Sequence, residues 1–114
     1  MRIVEIFNSL QGEGPAMGRP ATFVRLAGCN LRCSGCDTDH THWTEMAIPV
    51  VAKMIAGDRV IITGGEPTLQ LSELSELIYL LKAHGKEIHV ETNGTNIIPE
   101  TVLKEIHCVV VSPK

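Results

Sequence analysis

Cys29, Cys33 and Cys36 fall within eight residues of one another, in the segment GCNLRCSGCDT. Thiolates at this density are soft ligands that favour iron–sulfur clusters, zinc or copper(I). A structural zinc site normally closes on four ligands, whereas three thiolates on a cubane leave one iron open to a substrate or cofactor. His40 or His42 could complete a zinc site, and three plain buried thiols are the blandest reading. No second Cys or His pair follows at zinc-finger spacing, which favours iron–sulfur over zinc without excluding it. The fourth cysteine, Cys108, stands in an apolar run and reads as a small core residue.

The loop needs a scaffold, and the chain is long enough to supply one. Its 114 residues make one domain. Folding at this length buries roughly two-thirds of the unfolded surface. The formal charge of −3 gives no reason to expect a nucleic-acid or membrane partner. No apolar run approaches the ~20 residues of a bilayer span. The opening MRIVEIFNSLQGEG lacks the apolar core and cleavage site of a signal peptide, so the expected location is the cytoplasm. That location and the clustering argue against disulfides.

Residues 2–7 and 21–27 are rich in β-branched and aromatic side chains and read as strands. The Gly- and Pro-rich QGEGPAMGRP between them is a loop, as is the aperiodic cysteine segment 28–42. Pro49 suits the first turn of a helix over 49–56, with Val50, Val51, Met54 and Ile55 on one face. RVIIT at 59–63 reads as a buried parallel strand. A helix over about 70–83 follows, with Leu74, Leu77, Ile78 and Leu81 at helical spacing and Gly85 as its stop. Residues 87–91 form a strand, Pro99 opens a helix to about 106, and CVVV at 108–111 is the last strand. Strands alternating with helices define an α/β fold with a mostly parallel sheet and an N-terminal strand pair. GGEP, ETNGT and SPK all follow strands, so they share the carboxyl edge where such sheets bind ligands.

These residues also resemble a known group. Cys-x3-Cys-x2-Cys is the spacing of the radical S-adenosylmethionine superfamily, and Gly64, Gly65, Glu66 and Pro67 resemble its second motif. SLQGEGPAMG, FVRLAGCNLRCSGCDT, TGGEPTLQ, ETNGT and VSPK, in that order along the whole chain, resemble successive motifs of the 7-carboxy-7-deazaguanine synthase family. That family makes the 7-deazapurine precursor of queuosine and related nucleosides. The resemblance implies a partial (β/α) barrel of the radical SAM type, with residues 1–114 as its core domain. Family members run further than Lys114, so the expectation is a core shortened at its C-terminus. Gly35 stands where the superfamily usually has an aromatic residue.

The resemblance implies roles at matching positions. Cys29, Cys33 and Cys36 would ligate a [4Fe–4S] cluster, and Thr38 would bind Mg2+. Gly35, Cys36, Asp37, Gly65, Ser112, Pro113 and Lys114 would touch S-adenosylmethionine. Leu10, Gln11, Gly12, Glu13, Arg25 and Thr63 would bind substrate. The chemistry suits these roles: Arg25 offers a planar fork for a carboxylate, although a surface ion pair is its default reading. Successive glycines at 64 and 65 admit close backbone approach. Magnesium prefers oxygen ligands and retains waters, so one threonine hydroxyl suffices only if substrate oxygens help. The five histidines are not expected to be ligands, and His89, in a strand, reads as a satisfied structural residue.

The implied reaction is radical conversion of 6-carboxy-5,6,7,8-tetrahydropterin to 7-carboxy-7-deazaguanine with loss of ammonia. An electron donor such as flavodoxin would serve it. Two alternatives stay open, a glycyl-radical-type activating enzyme and a non-catalytic cluster- or zinc-binding module. An unpaired, apolar last strand would be a sticky edge, which suggests a homodimer.

Overall fold

The computed structural model of the protein describes residues 1–10, 18–28 and 42–112. Strands β1 (Arg2–Leu10) and β2 (Pro20–Leu26) pair antiparallel, with Ile6 opposite Val24 and Leu10 opposite Pro20. A register irregularity between Ile3 and Glu5 bends β1 where it meets the end of β2. The two-residue β3 (Thr44–Glu45) pairs antiparallel with the start of β1. Strands β4 (Arg59–Gly64), β5 (Glu87–Thr92) and β6 (Cys108–Val111) then follow β2 in parallel. The sheet order is β3-β1-β2-β4-β5-β6, an open, mostly parallel sheet with β3 and β6 at its edges.

Helices α1 (Ile48–Lys53), α2 (Leu71–Ala83) and α3 (Glu100–Leu103) form the crossovers. Alternation along each strand sorts side chains to two faces. One face carries Val24, Leu26, Val60, Ile62, Ile88 and Val90, packed on Leu74, Leu77, Ile78 and Leu81 of α2. These form the main core, and it is α2's apolar stripe that holds the helix on the sheet. Residues paired in register on the opposite face are Phe23, Ile61, His89 and Cys108, joined by Phe7 through its stacking on Phe23. This second face is the concave side of the partial barrel.

The elements follow the sequence expectation with five differences, the first that β1 runs to Leu10 rather than ending at residue 7. Helix α1 stops at Lys53 rather than 56, and of its expected face only Val51 and Ile55 are buried. Val50 and Met54 are about half exposed, because a helix of six residues presents too narrow a stripe to bury all four. A 3-10 turn, Pro67–Gln70, precedes α2. Helix α3 is one turn long, and β3 is too short to show any periodicity.

Candidate active site at the carboxyl edge

The turn after β4 sits directly against the residues leading into the cysteine segment. The Glu66 N–H donates to the Gly28 carbonyl at 2.7 Å. A Cβ on Gly65 would lie 2.0 Å from that same carbonyl oxygen, so only glycine allows this approach. Gly28 itself has φ +93°, a conformation L side chains rarely adopt. Two glycines, from two motifs far apart in sequence, are thus required by one contact.

Glu66 is fully buried. Its carboxylate accepts from the Thr92 hydroxyl at 2.6 Å, the Asn93 N–H at 2.7 Å, the Thr68 N–H at 3.1 Å and the Thr68 hydroxyl. A buried carboxylate is tolerable only with its lone pairs satisfied, and these donors do that. They also tie the turn after β4 to the TNGT turn after β5. Asn96 extends the tie by donating to Thr68 Oγ1 at 3.0 Å. The Ser112 N–H donates to the Thr92 carbonyl at 2.8 Å, bringing the start of the SPK segment to the same edge.

On the concave face, Arg25 and Thr63 are register partners on β2 and β4. Arg25 Nε donates to Glu5 Oε1 at 2.9 Å, and its guanidinium lies 5.8 Å from the Phe7 ring centre. The ion pair expected by default for Arg25 is present, at a strand position whose register partner is Thr63. Further down the same face, Glu87 Oε2 meets Arg59 at 2.6 Å and His89 Nε2 at 2.9 Å. The His89 hydrogen bond, aided by the Arg59 charge and opposed by burial, holds the Glu87 carboxyl below the ordinary carboxylate value. His89 thus has a hydrogen-bond partner, Glu87, on its own strand.

The structure brings Arg25, Thr63, Gly65 and Ser112 to the carboxyl half of the sheet. Leu10 is placed elsewhere: it ends the antiparallel β1 at the amino edge, exposed, beside Pro20. A cavity of about 710 Å³ opens there, lined in part by Leu10, Arg19, Asp58, Arg59 and Glu87. Gln11, Gly12, Glu13, Cys29, Cys33, Gly35, Cys36, Asp37, Thr38, Pro113 and Lys114 lie outside the described residues. Cys108 is half-buried on the edge strand rather than deep in the core, because nothing among the described residues covers β6. The sequence reading passed over the Glu66 network and Glu91, which shares the concave face with His89 one pleat nearer the carboxyl edge. The Glu66 network had a signal, an acid in TGGEPTLQ with hydroxyl residues in ETNGT, but burial supplies its meaning.

Among the described residues no group of three or more His, Cys, Asp or Glu is placed to hold a metal ion. The cysteine segment lies outside those residues. The described residues around that segment fit a metal or cluster: Gly28 and Gly65 meet with no side chain between them, and polar turns line the edge beside it.

An open α/β sheet whose GGEP turn meets Gly28, the residue before the first of three clustered cysteines, is the arrangement of a radical enzyme's core, and the sequence agrees. Residues 23–110 match the Radical SAM superfamily, and the chain belongs to it. Membership implies a [4Fe–4S] cluster and S-adenosylmethionine as the cofactors of the group. Within the superfamily the chain is similar to the 7-carboxy-7-deazaguanine synthase of Neisseria meningitidis serogroup B, at 48% identity over 99% of this chain and 52% of that protein. It is 50% identical to the enzyme of the same name from Methanospirillum hungatei, over 83% of this chain and 43% of that one. The crystal structure of QueE from Escherichia coli superposes with a TM-score of 0.80 at 31% identity, covering 99% of this chain and 59% of that one. The chain spans about half the length of the curated relatives it matches.

Proposed function

We propose that the chain is the radical SAM core, residues 1–114, of a 7-carboxy-7-deazaguanine synthase. It would be a carbon–nitrogen lyase converting 6-carboxy-5,6,7,8-tetrahydropterin to 7-carboxy-7-deazaguanine with loss of ammonia. The observation that carries the reading is the fit of the Gly65 turn against Gly28, at the foot of a three-cysteine segment. The similarity to synthases along nearly the whole chain supports the substrate.

In this reading Cys29, Cys33 and Cys36 hold the cluster. Gly35, Cys36, Asp37, Gly65, Ser112, Pro113 and Lys114 bind S-adenosylmethionine. When bound, these two groups supply the radical chemistry, while the protein orients substrate and excludes water. Arg25 meets the pterin carboxylate with its planar fork, steadied by Glu5 and Phe7. Thr63 binds beside it, and Gln11, Gly12 and Glu13 complete the substrate contacts; Leu10, at the opposite edge of the sheet, is left out of the set. Thr38 binds Mg2+ together with substrate oxygens. We further propose a cytoplasmic homodimer served by an electron donor such as flavodoxin. No helix among the described residues is long and apolar enough to cross a membrane.

The test is anaerobic reconstitution of the chain with iron and sulfide, followed by reductant, S-adenosylmethionine and the carboxypterin. The expected result is a brown protein that forms 5′-deoxyadenosine and the deazaguanine product. Stoichiometric zinc with no cluster would overturn the reading. A cluster that yields 5′-deoxyadenosine but no deazaguanine would overturn the substrate assignment alone.

A further inference from the structure

Gln70 ends the 3-10 turn that follows GGEP, and it is almost completely buried, at 6% exposure. Its Oε1 accepts from the Arg2 N–H at 2.8 Å, while Nε2 donates to the Arg2 carbonyl at 3.2 Å and to the Ala27 carbonyl at 3.3 Å. One amide thus reads the backbone of Arg2 in both directions, as a neighbouring strand would. Only the orientation with nitrogen toward the two carbonyls satisfies all three contacts.

The two backbones it joins frame the cysteine segment. Ala27 is two residues before Cys29, and its own N–H donates to the Arg2 carbonyl at 3.1 Å. Gly28, next in line, is held by Glu66. Beyond the segment, Arg2 is paired with Glu45 across β1 and β3, and its guanidinium lies 5.9 Å from the Trp43 ring centre. Arg2 therefore meets the chain on both sides of residues 29–41, and Gln70 fixes Arg2 to the turn after GGEP.

We infer that Gln70 is a positioning residue for the cluster: it sets the two feet of the cysteine segment relative to the GGEP turn. The inference rests on the cysteines being the cluster ligands. It assigns no contact between Gln70 and the cluster or S-adenosylmethionine. Loss of its two donated hydrogen bonds frees Ala27, two residues before Cys29, and Arg2 to shift relative to Gly65.

Gln70→Glu keeps the length of the side chain and its acceptor for the Arg2 N–H, but turns a carboxylate oxygen toward two carbonyls. Wild type and variant are reconstituted without oxygen and compared by iron release to a chelator and by electron paramagnetic resonance of the reduced cluster, with and without S-adenosylmethionine. Thermal unfolding of the cluster-free proteins is measured alongside. The expected result is iron release faster by about tenfold, the scale of one or two lost hydrogen bonds, and a weakened spectral response to S-adenosylmethionine. A residue that merely held the fold would lower the melting temperature and leave that response unchanged. Equal release and equal spectra would overturn the inference. A wild-type chain that takes up no cluster would overturn it together with the cysteine assignment, so the two failures are distinguishable. If Gln70→Glu does not fold, the wild type decides. Its Gln70 side-chain amide protons should exchange with solvent at least about 100-fold more slowly than a free glutamine's. Free-like exchange would overturn the inference.

Discussion

Arg25 illustrates how one side chain serves two ends. Its pair with Glu5 is half exposed, and such pairs contribute about 1 kcal/mol or less to stability. What the pair does is orient a planar fork on the concave face, from a position whose register partner is Thr63. Arg25→Ala should therefore leave cluster content and melting temperature nearly unchanged while raising KM for the pterin about 10- to 100-fold, the scale of a charged hydrogen bond. Equal loss of cluster and substrate use would place Arg25 in the scaffold instead. Glu87 is a different case. Its folded-state carboxyl lies below the ordinary value of 4.5, chiefly through His89. The stability it contributes is therefore present above pH 4.5 and is lost as pH falls through the lower folded value. Urea unfolding of wild type and Glu87→Gln should differ at neutral pH and converge as the pH drops below that range.

At the scale of elements, the carboxyl edge is assembled by backbone approach. The β4 turn reaches Gly28 because position 65 has no Cβ, and it reaches the β5 turn because Glu66 collects donors from Thr92 and Asn93. Gly65→Ala must push backbone against backbone. It should destabilise the protein by about 1–3 kcal/mol, the usual range for overpacking, and impair cluster assembly. Gly57→Ala is the control: nothing lies within 4 Å of its added Cβ, and the change should stay within about 0.5 kcal/mol in denaturant unfolding. If both substitutions behaved alike, the close approach of the two turns would be wrong.

For the whole molecule, the decisive feature is the open sheet. Strand β6 forms one edge, and Val111 on it is about half exposed. Apolar edges invite pairing with another strand, and a second copy of the chain is the partner we propose. Light scattering at micromolar concentration should then give a dimeric mass. Val111→Lys should shift that mass toward the monomer without lowering the melting temperature by more than a few degrees. A monomeric wild type would remove the homodimer from the proposal.

Much of this protein is legible without coordinates. Periodicity located α2, because Leu74, Leu77, Ile78 and Leu81 form a stripe over about two turns, and β-branched runs located β2, β4, β5 and β6. The cysteine spacing and the ordered motifs pointed to the radical superfamily, since ligand chemistry depends on residue type and local spacing. Short elements escaped: β3 and the 3-10 turn hold too few residues for a period to register, and α1 is too short to bury its whole expected face. The partners of Glu66, Gln70 and Arg25 escaped for another reason. Glu66 meets Thr92 and Asn93 26 and 27 residues away, and Gln70 meets Arg2 68 residues away. Such contacts are set by strand order and register, which no local pattern encodes. The sequence by itself determined which superfamily the chain resembles; the tertiary structure alone decided which buried polar groups tie Arg2, Ala27 and Gly28 to the turn after β4, because burial makes each hydrogen-bond partner obligatory.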